Sequence, residues 1–398
     1  MLIAGFIFAC MRYHSYLNSA IKIIESYSAG EPFSLFLKKY FSANKKYGSK
    51  DRKQIAALCY NFYRLGKAMP GAAVDEKIMM ATFLCERSNN EFLAFHRPEW
   101  NKLIDKPLIK KLASVDIDIE KIFPWAAELS TGINFHQYAS SFLFQPDLFL
   151  RIRPGKKNTV IQKLQDAGLN FTLPYDDCIA LLNSSKLDTV IELNNEAVVQ
   201  DMNSQKVLDV LKERNYVDPN ETLTVWDCCA ASGGKSILAY DILNGKIELT
   251  VSDIREGIIA NLKKRFSAAG IKKYATFVAD LQASNLKPQT LNFKLIICDA
   301  PCTGSGTWSR TPEQLYFFEE EMIAAYADRQ RKIVNHVIPQ LQVGGMFIYI
   351  TCSVFKKENE EMVDFIKEKF HLQLLQVELL QGYDKKADTM FTAAFIKK

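Results

Sequence analysis

The chain has 398 residues, a formal net charge of +5 and a pI of about 8.5. That length exceeds what one ordinary hydrophobic core serves, so two or three domains are expected. The charge is too small to identify a nucleic-acid-binding protein by itself, and the apolar share of 48% is that of a soluble globular protein rather than a disordered or membrane-spanning one.

The first ten residues, Met1 to Cys10, are apolar. They are too short to span a membrane and lack the positive flank of a signal peptide. Met11 opens a polar, helix-like segment. We therefore expect translation to begin at Met11, with the preceding residues as an upstream extension.

From Met11 to about Pro124 the apolar residues recur at helical spacing, which predicts an all-helical domain. The segment Ser49 to Arg52 has the composition of a capped helix start, and Pro70-Gly71 that of a stop. The residues that carry the spacing are Leu17, Ile21, Ile24, Ile55, Leu58, Cys59 and Phe62.

Two stretches are rich in cations and contain few acids. Such clusters bind phosphates in some proteins and are simply solvated in others, and both interpretations stay open. The first contains Lys38, Lys39, Lys45, Lys46, Lys50, Arg52 and Lys53, and the second contains Arg151, Arg153, Lys156 and Lys157.

A small mixed α/β segment is predicted from about Pro146 to Asp201. The residues from Leu148 to Arg153 alternate like a strand, and a helical stretch near Thr159 to Ala167 follows. Because alternate side chains of a strand share a face, Arg151 and Arg153 are expected to point the same way, toward phosphates or toward solvent.

Beyond Glu221 the chain alternates strand and helix, which predicts a doubly wound parallel sheet. In such sheets ligands bind beyond the carboxyl ends of the strands. The predicted strands are Leu223 to Cys228, Leu249 to Asp253, Thr276 to Asp280, Leu295 to Cys298 and Phe347 to Thr351. The polar residues gathered at this edge are Asp227, Asp253, Asp280, Asp299 and the turn Thr351-Cys352-Ser353.

The loop from Cys229 to Lys235, with the sequence Cys-Ala-Ala-Ser-Gly-Gly-Lys, follows the first strand and opens a helix. Its small residues let a polar or anionic cofactor approach backbone N–H groups at a helix N-terminus. A phosphate-binding P-loop is the alternative, because Gly234-Lys235-Ser236 matches the end of that motif. The first glycine of a P-loop would stand at position 229, which is a cysteine, so this alternative fails.

Two aspartates at strand ends are candidate cofactor ligands. Asp253 follows the glycine loop at the offset of a carboxylate that accepts bonds from ribose hydroxyls, and Asp280 is placed to approach an adenine edge. The alternatives are a helix cap at Asp253 and a turn cap at Asp280.

Two cysteines, Cys302 and Cys352, each come just past a predicted strand at the same edge. Cysteines are common core residues, but these two stand in the polar segments Asp299 to Thr307 and Thr351 to Ser353, where a thiol has little packing value. A chemical role is therefore the favoured interpretation.

These motifs resemble the RsmB/Nop/Sun family of RNA cytosine-5 methyltransferases, and the bacterial RsmB-type ribosomal RNA enzymes in particular. The resemblance covers nearly the whole chain, and the first domain resembles a NusB-like helical RNA-binding domain. The further segments that carry it are Leu150-Arg-Ile-Arg153, Val199-Gln-Asp201 with Ser204-Gln205, and a closing strand from Asp388 to Ala394.

The resemblance implies an α/β fold with three domains. These are a NusB-like helical RNA-binding domain over residues 11–130, a small α/β RNA-binding linker domain over 131–205, and a Rossmann-like S-adenosylmethionine-dependent methyltransferase domain over 206–398.

The resemblance also implies the roles of site residues. Cys352 is the expected nucleophile, Cys302 assists product release, and Asp299 contacts the cofactor region and the target base. The family's loop usually has proline where this chain has Ser232, which frees the local φ angle. The residues expected to bind S-adenosylmethionine are Cys229, Ala230, Ala231, Ser232, Gly233, Gly234, Lys235, Asp253, Asp280 and Asp299.

Chemical reasoning agrees with these roles. Carbon C5 of cytosine is a poor nucleophile, and a thiolate that adds at C6 makes it reactive. A proton delivered at N3 stabilises the developing charge, which is the role expected of Asp299. The base must enter a pocket, so the RNA site is expected to be single-stranded, looped or flipped out, and binding to weaken with salt.

Other functions fit less well. Methylation of exocyclic amines typically uses Asn/Asp-Pro-Pro-aromatic where this chain has Asp299-Ala-Pro-Cys302, and DNA cytosine methyltransferases follow a different pattern. A scaffold that binds RNA in ribosome assembly without turnover is disfavoured by Asp299, Cys302 and Cys352. The expected substrate is 16S ribosomal RNA, with transfer RNA as the alternative.

The remaining expectations concern partners and location. The nine cysteines are mostly scattered and lack a disulfide framework, and the five histidines and the cysteine spacings indicate no metal site. We expect a cytoplasmic protein that acts as a monomer on RNA, without a metal and without a membrane partner.

Overall fold

The computed structural model describes residues 2–213, 222–283 and 292–398, with side chains from Met11 onward except that of Glu213. The first helix is Leu2–Ser26. The expected upstream extension, Met1 to Cys10, falls outside the described side chains, and Met1 falls outside the described residues altogether.

The chain divides into two compact units. The first comprises Met1–Ala127, Asn134–Gln145 and Trp308–Glu319, and the second comprises Glu128–Ile133, Pro146–Thr307 and Glu320–Lys398. The three-domain division at residues 11–130, 131–205 and 206–398 remains a prediction.

The first unit is helical, as the spacing of apolar residues predicted. Leu17, Ile24, Ile55 and Phe62 are buried in one aromatic-rich core. The helices of this unit are Leu2–Ser26, Phe33–Ala43, Ser49–Arg64, Val74–Cys85, Glu91–His96, Pro98–Asn101, Leu108–Leu112, Phe135–Ser141 and Pro312–Phe317, with a 3-10 turn at Ile119–Ile122. No helix among the described residues combines the length and apolar character needed to cross a bilayer.

The helix Ser49–Arg64 starts where the sequence predicted, but its cap differs. The N-cap is Gly48, whose N–H donates to the Asp51 carboxylate at 2.9 Å. The helix also ends before the predicted stop. Gly66 has a φ of +51°, and a Cβ there would lie 2.3 Å from the Ile122 carbonyl oxygen, so the chain turns at a glycine that packing requires.

A four-stranded antiparallel sheet opens the second unit. Its strands are β1 (Leu148–Ile152), β2 (Phe171–Tyr175), β3 (Cys178–Leu181) and β4 (Ala197–Val199), in the order β2-β3-β1-β4. The helix Lys157–Asp166 packs against it through Val160 and Leu164. The predicted strand and helix are both present, and the segment is the mixed α/β structure expected.

A seven-stranded sheet forms the rest of this unit, in the order β10-β11-β9-β8-β5-β6-β7. Its strands are β5 (Leu223–Asp227), β6 (Ile247–Asp253), β7 (Tyr274–Val278), β8 (Phe293–Asp299), β9 (Leu341–Thr351), β10 (Gln373–Leu380) and β11 (Met390–Ile396). The longer helices of this part are Gly234–Ile242, Glu256–Ala268, Glu321–Val337 and Glu360–Phe370.

The five strands from β5 to β9 pair in parallel, as predicted for a doubly wound sheet. One edge departs from that prediction, because β10 and β11 form an antiparallel hairpin beside β9. Strand β10 was not predicted. Most of its residues are half-buried on both faces, so it lacks the alternation that marks a strand in the sequence.

Apolar layers cover both faces of the large sheet. Val225 and Ile297 face one layer, whereas Trp226 and Ile296 face the other. The strand order reverses between β5 and β8, and in such sheets a ligand crevice opens at the carboxyl ends of these two strands. The fold therefore places the residues after β5 and after β8 at one edge.

Candidate active site

The loop after β5 has the tight geometry expected of a cofactor cradle. Ala231 and Gly233 both have positive φ angles, of 46° and 83°. A Cβ at Gly233 would lie 2.6 Å from the ring of Phe266, so glycine lets the loop pack directly on the helix Glu256–Ala268. The helix Gly234–Ile242 begins at once after it.

Arg265 contacts Ser232, the residue that stands where the loop of the resembled family usually has proline. Its Nη1 donates to the hydroxyl of Ser232 at 2.7 Å and to the Ser232 carbonyl oxygen at 3.0 Å, while its Nε donates to Asn194 at 2.9 Å. A proline at position 232 would restrict φ. In this chain the hydrogen bonds from the Arg265 guanidinium to Ser232 restrain the loop instead.

The expectation for Arg151 and Arg153 was wrong. Both guanidiniums pair with Asp241, each at 2.6 Å, and their side chains are only 6% and 10% exposed. They face neither solvent nor an RNA phosphate, because β1 turns this face toward the helix Gly234–Ile242. These two ion pairs instead connect the four-stranded sheet to the helix Gly234–Ile242.

A cavity of about 530 Å³ opens beside this loop. This volume lies within the range of small-molecule sites. Its lining includes Cys229, Ala231, Asp253, Asp280 and Asp299, all of which were predicted cofactor ligands. The other predicted ligands, Ala230, Ser232, Gly233, Gly234 and Lys235, are not part of that lining.

Asp253 presents a buried carboxylate at one end of the cavity. It accepts bonds from the Ala231 N–H at 3.1 Å and from Nε of Arg255 at 3.0 Å. Burial works against the charged form, but the bonds from Arg255 and Ala231 outweigh it and lower the pKa of Asp253. A ribose that binds both oxygens has to displace the Arg255 side chain, which is 59% exposed.

Asp280 lies beyond the end of β7 and is exposed at the cavity wall. Its Oδ1 accepts the N–H of Gln282 at 2.9 Å. The turn-capping alternative is therefore present in the structure, and Asp280 also lines the cavity.

Asp299 ends β8 and forms an ion pair with Lys235, whose Nζ lies 2.7 Å from Oδ2. Burial of Lys235 opposes its charge, but the attraction of Asp299 is larger in sum and raises the pKa of the lysine. The pair therefore brings an ammonium and a carboxylate to the edge where β5 and β8 separate.

The thiols of Cys302 and Cys352 lie together, with their sulfur atoms 3.4 Å apart. The loops that carry them are joined by the Gly306 N–H, which donates to the Cys352 carbonyl oxygen at 2.8 Å. Contact with Cys352 and burial raise the pKa of Cys302 well above that of a free thiol, so its thiolate is a stronger proton acceptor than an ordinary one.

Glu358, which the sequence analysis did not single out, joins the two cysteine loops. Its fully buried carboxylate accepts the Thr303 N–H at 2.9 Å, the Thr303 hydroxyl at 2.6 Å and the Gln330 amide at 3.0 Å, as well as the Ser353 hydroxyl. In the sequence it stands in the polar run Lys356 to Glu361, which is typical of a solvated surface. Its closeness to Cys352 along the chain was the only available signal.

Glu358→Gln is expected to destabilise the protein by about 1–3 kcal/mol, because four donors point at this carboxylate and the new amide nitrogen faces some of them. Denaturant unfolding checks this effect. Glu361→Gln, at an exposed position three residues further along the chain, is the control. Equal stability of the two variants would contradict the role.

Residues 214–395 match the model of a family described as 16S rRNA methyltransferase RsmB/F. This part of the chain is similar to the methyltransferase domain of that family. The match confirms the resemblance inferred from the sequence and, with it, S-adenosylmethionine as the expected type of cofactor.

Curated relatives are similar to part of the chain. A probable ribosomal RNA small subunit methyltransferase B of Bacillus subtilis is 29% identical over 194 residues, which are 48% of this chain and 42% of the relative. Ribosomal RNA small subunit methyltransferase B of Proteus mirabilis is 31% identical over 166 residues, 42% of this chain and 37% of the relative. The chain thus spans about half or less of the length of these relatives.

Solved structures extend the likeness to the whole fold. A crystal structure described as PH0851 has a TM-score of 0.71 at 18% identity and covers 96% of this chain and 98% of its own. NSun6 from Pyrococcus horikoshii, solved with SFG, has a TM-score of 0.58 at 16% identity and covers 66% of this chain and 94% of its own. The helical region followed by a Rossmann-like methyltransferase sheet is therefore confirmed.

Proposed function

We propose that this protein methylates carbon C5 of cytosine in RNA, with S-adenosylmethionine as methyl donor. The observation that carries the proposal is the pair of thiols, Cys302 and Cys352, 3.4 Å apart at the same sheet edge as the Asp299–Lys235 ion pair. One thiol to attack the base and a second to take a proton afterwards are what this reaction requires.

The cavity beside the cofactor loop fits a nucleoside-bearing sulfonium. It offers the ionised carboxylate of Asp253 to ribose hydroxyls, Asp280 at the wall for an adenine edge, and Asp299 as a further carboxylate in the lining. When bound, S-adenosylmethionine supplies an electrophilic methyl group. Ala231, a small residue of the lining, leaves room for it beside the loop.

In the proposed reaction the Cys352 thiol gives its proton to solvent and its sulfur bonds to C6 of the cytosine. The electron pair of the C5–C6 double bond moves to the C4–C5 bond, the electron pair of the C4–N3 double bond moves to N3, and N3 takes a proton. Lys235 and Asp299 share a proton in their ion pair, so this pair is the proposed source. The charge of Lys235 also attracts negative charge at Cys352.

The second half of the reaction restores the ring. After C5 has gained the methyl group, N3 returns its proton to the Lys235–Asp299 pair, a base removes the remaining C5 proton and the bond between Cys352 and C6 breaks. We assign the removal of the C5 proton to the thiolate of Cys302, which forms when Cys302 gives its own proton to solvent and whose sulfur lies beside that of Cys352. Glu358 is a positioning residue, since it holds the loops of both cysteines but contacts neither reacting atom.

RNA is the proposed substrate, and small-subunit ribosomal RNA is favoured by the relatives named for its methylation. The cations of the first basic cluster, from Lys38 to Lys53, are all exposed on the helical unit and are proposed to bind flanking phosphates. Arg151 and Arg153 are excluded from this role by their pairing with Asp241. The residues of the reaction all belong to one chain, so a monomer suffices.

Bisulfite sequencing of total RNA from a deletion strain tests the function and names the target. Loss of 5-methylcytosine at a single position of 16S ribosomal RNA is the expected result. Loss in a transfer RNA would support the alternative substrate. A strain that keeps every 5-methylcytosine would contradict the proposed activity and favour a scaffold in ribosome assembly.

Asp253→Ala is expected to weaken S-adenosylmethionine binding by roughly tenfold to a hundredfold, because charged hydrogen bonds to the ribose are lost. Isothermal titration calorimetry measures the change. Glu256→Ala removes a neighbouring exposed carboxylate that is not part of the cavity lining, and it is expected to leave the affinity unchanged. An unchanged dissociation constant for Asp253→Ala would remove this residue from the ribose role.

A further inference from the structure

Three cysteines meet where β5 and β8 separate. Cys228 and Cys229 directly follow β5, and Cys298 lies in β8. The two strands pair in parallel, with the Cys228 N–H donating to the Ile297 carbonyl oxygen at 3.0 Å. The three sulfur atoms all lie within 4.8 Å of one another.

The spacing of these sulfurs suits a metal ion. Bonds of about 2.3 Å from a metal to thiolate sulfurs place the sulfurs of one coordination shell about 4 Å apart. The sulfurs of Cys228 and Cys229 are 4.0 Å apart. No metal site was expected from the cysteine spacings and the five histidines. Cys298 is far from the other two cysteines along the chain, and only the sheet brings it to them.

A buried carboxyl group with an unpartnered oxygen stands next to the cluster. Asp227 directly precedes Cys228 in the chain, and its Oδ1 is buried and has no hydrogen-bond partner among the described residues. A buried polar atom without a partner is costly, and a cation held by the cluster would offset that cost.

The cluster also opens to the cofactor cavity. Cys228 and Cys229 are part of the cavity lining, so an ion can reach the sulfurs from that side. Cys228 and Cys298 are otherwise buried in an apolar layer with Trp226 and Ile296. An ion can therefore enter from the cavity, and the apolar layer around Cys228 and Cys298 shields the bound ion from water on the other side.

We propose that Cys228, Cys229 and Cys298 form a three-thiolate site for a soft cation of the copper(I) or cadmium(II) class, in the wall of the cofactor cavity. Sulfur ligands select soft metals, and a set of three without histidine favours low coordination numbers. Binding forms three metal–sulfur bonds and releases up to three protons to solvent. The bound ion occupies space beside Cys229 that the cofactor is proposed to use.

Titration with cadmium(II) tests the site under reducing conditions. The double variant Cys302→Ser, Cys352→Ser serves as the starting protein, because that thiol pair can also bind soft ions. Ultraviolet absorption of cadmium–thiolate bonds is expected to saturate at one ion per chain. Adding Cys298→Val is expected to lower the affinity at least tenfold, whereas adding Cys85→Ser, which changes a thiol outside the cluster, is expected to leave it unchanged.

Equal cadmium(II) affinity with and without Cys298→Val would overturn the proposal. Valine suits a buried strand position, and circular dichroism checks that the variant folds. Should it not fold, the cadmium-113 chemical shift of the starting protein decides, because it reports the number of sulfur ligands. A shift typical of three sulfurs supports the site, and one typical of fewer than three overturns it.

A competition experiment tests the link to the cavity and rests on the proposed function. Saturating S-adenosylmethionine is expected to weaken cadmium(II) binding to the starting protein. If both ligands bind independently, the proposal that they share one cavity is overturned. If S-adenosylmethionine itself fails to bind the unmodified protein, the proposed function fails while the cadmium(II) titration stands on its own.

Discussion

Replacing Cys352 by alanine is expected to lower methyl transfer to RNA by at least about three orders of magnitude. Losing the nucleophile of a covalent mechanism removes the step that activates the substrate, and comparable losses in other enzymes are at least this large. Transfer of a radiolabelled methyl group from S-adenosylmethionine to RNA measures the rate.

The same variant is expected to keep its affinity for S-adenosylmethionine, since Cys352 is not part of the cavity lining. Calorimetry checks this, and it separates a lost nucleophile from a damaged fold. Cys85→Ser is the matched control and is expected to transfer methyl groups at the normal rate. If Cys352→Ala also works at the normal rate, the nucleophile has been assigned to the wrong residue.

Cys302→Ala is expected to trap a covalent complex between protein and RNA that survives denaturing electrophoresis. Without the second thiol the C5 proton stays on the methylated ring, and the bond between Cys352 and C6 has no route to break. The 3.4 Å separation of the two sulfurs is the geometric reason to assign this step to Cys302.

The double variant Cys302→Ala, Cys352→Ala is the control for trapping, because it lacks the sulfur that forms the bond. It is expected to show no complex. A complex that persists in the double variant would mean that another residue attacks the base. Normal turnover by Cys302→Ala without a complex would assign the proton transfer elsewhere.

Many of the residues at the sheet edge that carries the site could be predicted, because strands and loops have recognisable local patterns in the sequence. Asp253, Asp299, Cys302 and Cys352 each follow or end a strand, and parallel strands bring their carboxyl ends to one edge. All five predicted strands were found with ends shifted by at most two residues, except that β9 begins six residues earlier than predicted; β7 ends before Asp280. This much needs only hydrophobic periodicity and the residues that interrupt it.

The errors have a common cause. Arg151 and Arg153 were expected to meet phosphate or solvent, yet they pair with Asp241, and Glu358 was overlooked in a charged run. In each case a charged side chain is buried by a partner distant in the sequence. Periodicity records which residues are polar, but it does not record which polar residue finds a partner in the interior.

By itself the sequence determined the class of fold, the cofactor loop and the two cysteine motifs, because these depend on neighbours along the chain and on the handedness of βαβ units. Only the tertiary structure decided that Cys302 and Cys352 touch, that Arg265 ties down Ser232, and that Cys298 joins Cys228 and Cys229. These contacts depend on strand order and packing, and short-range patterns carry no information about either.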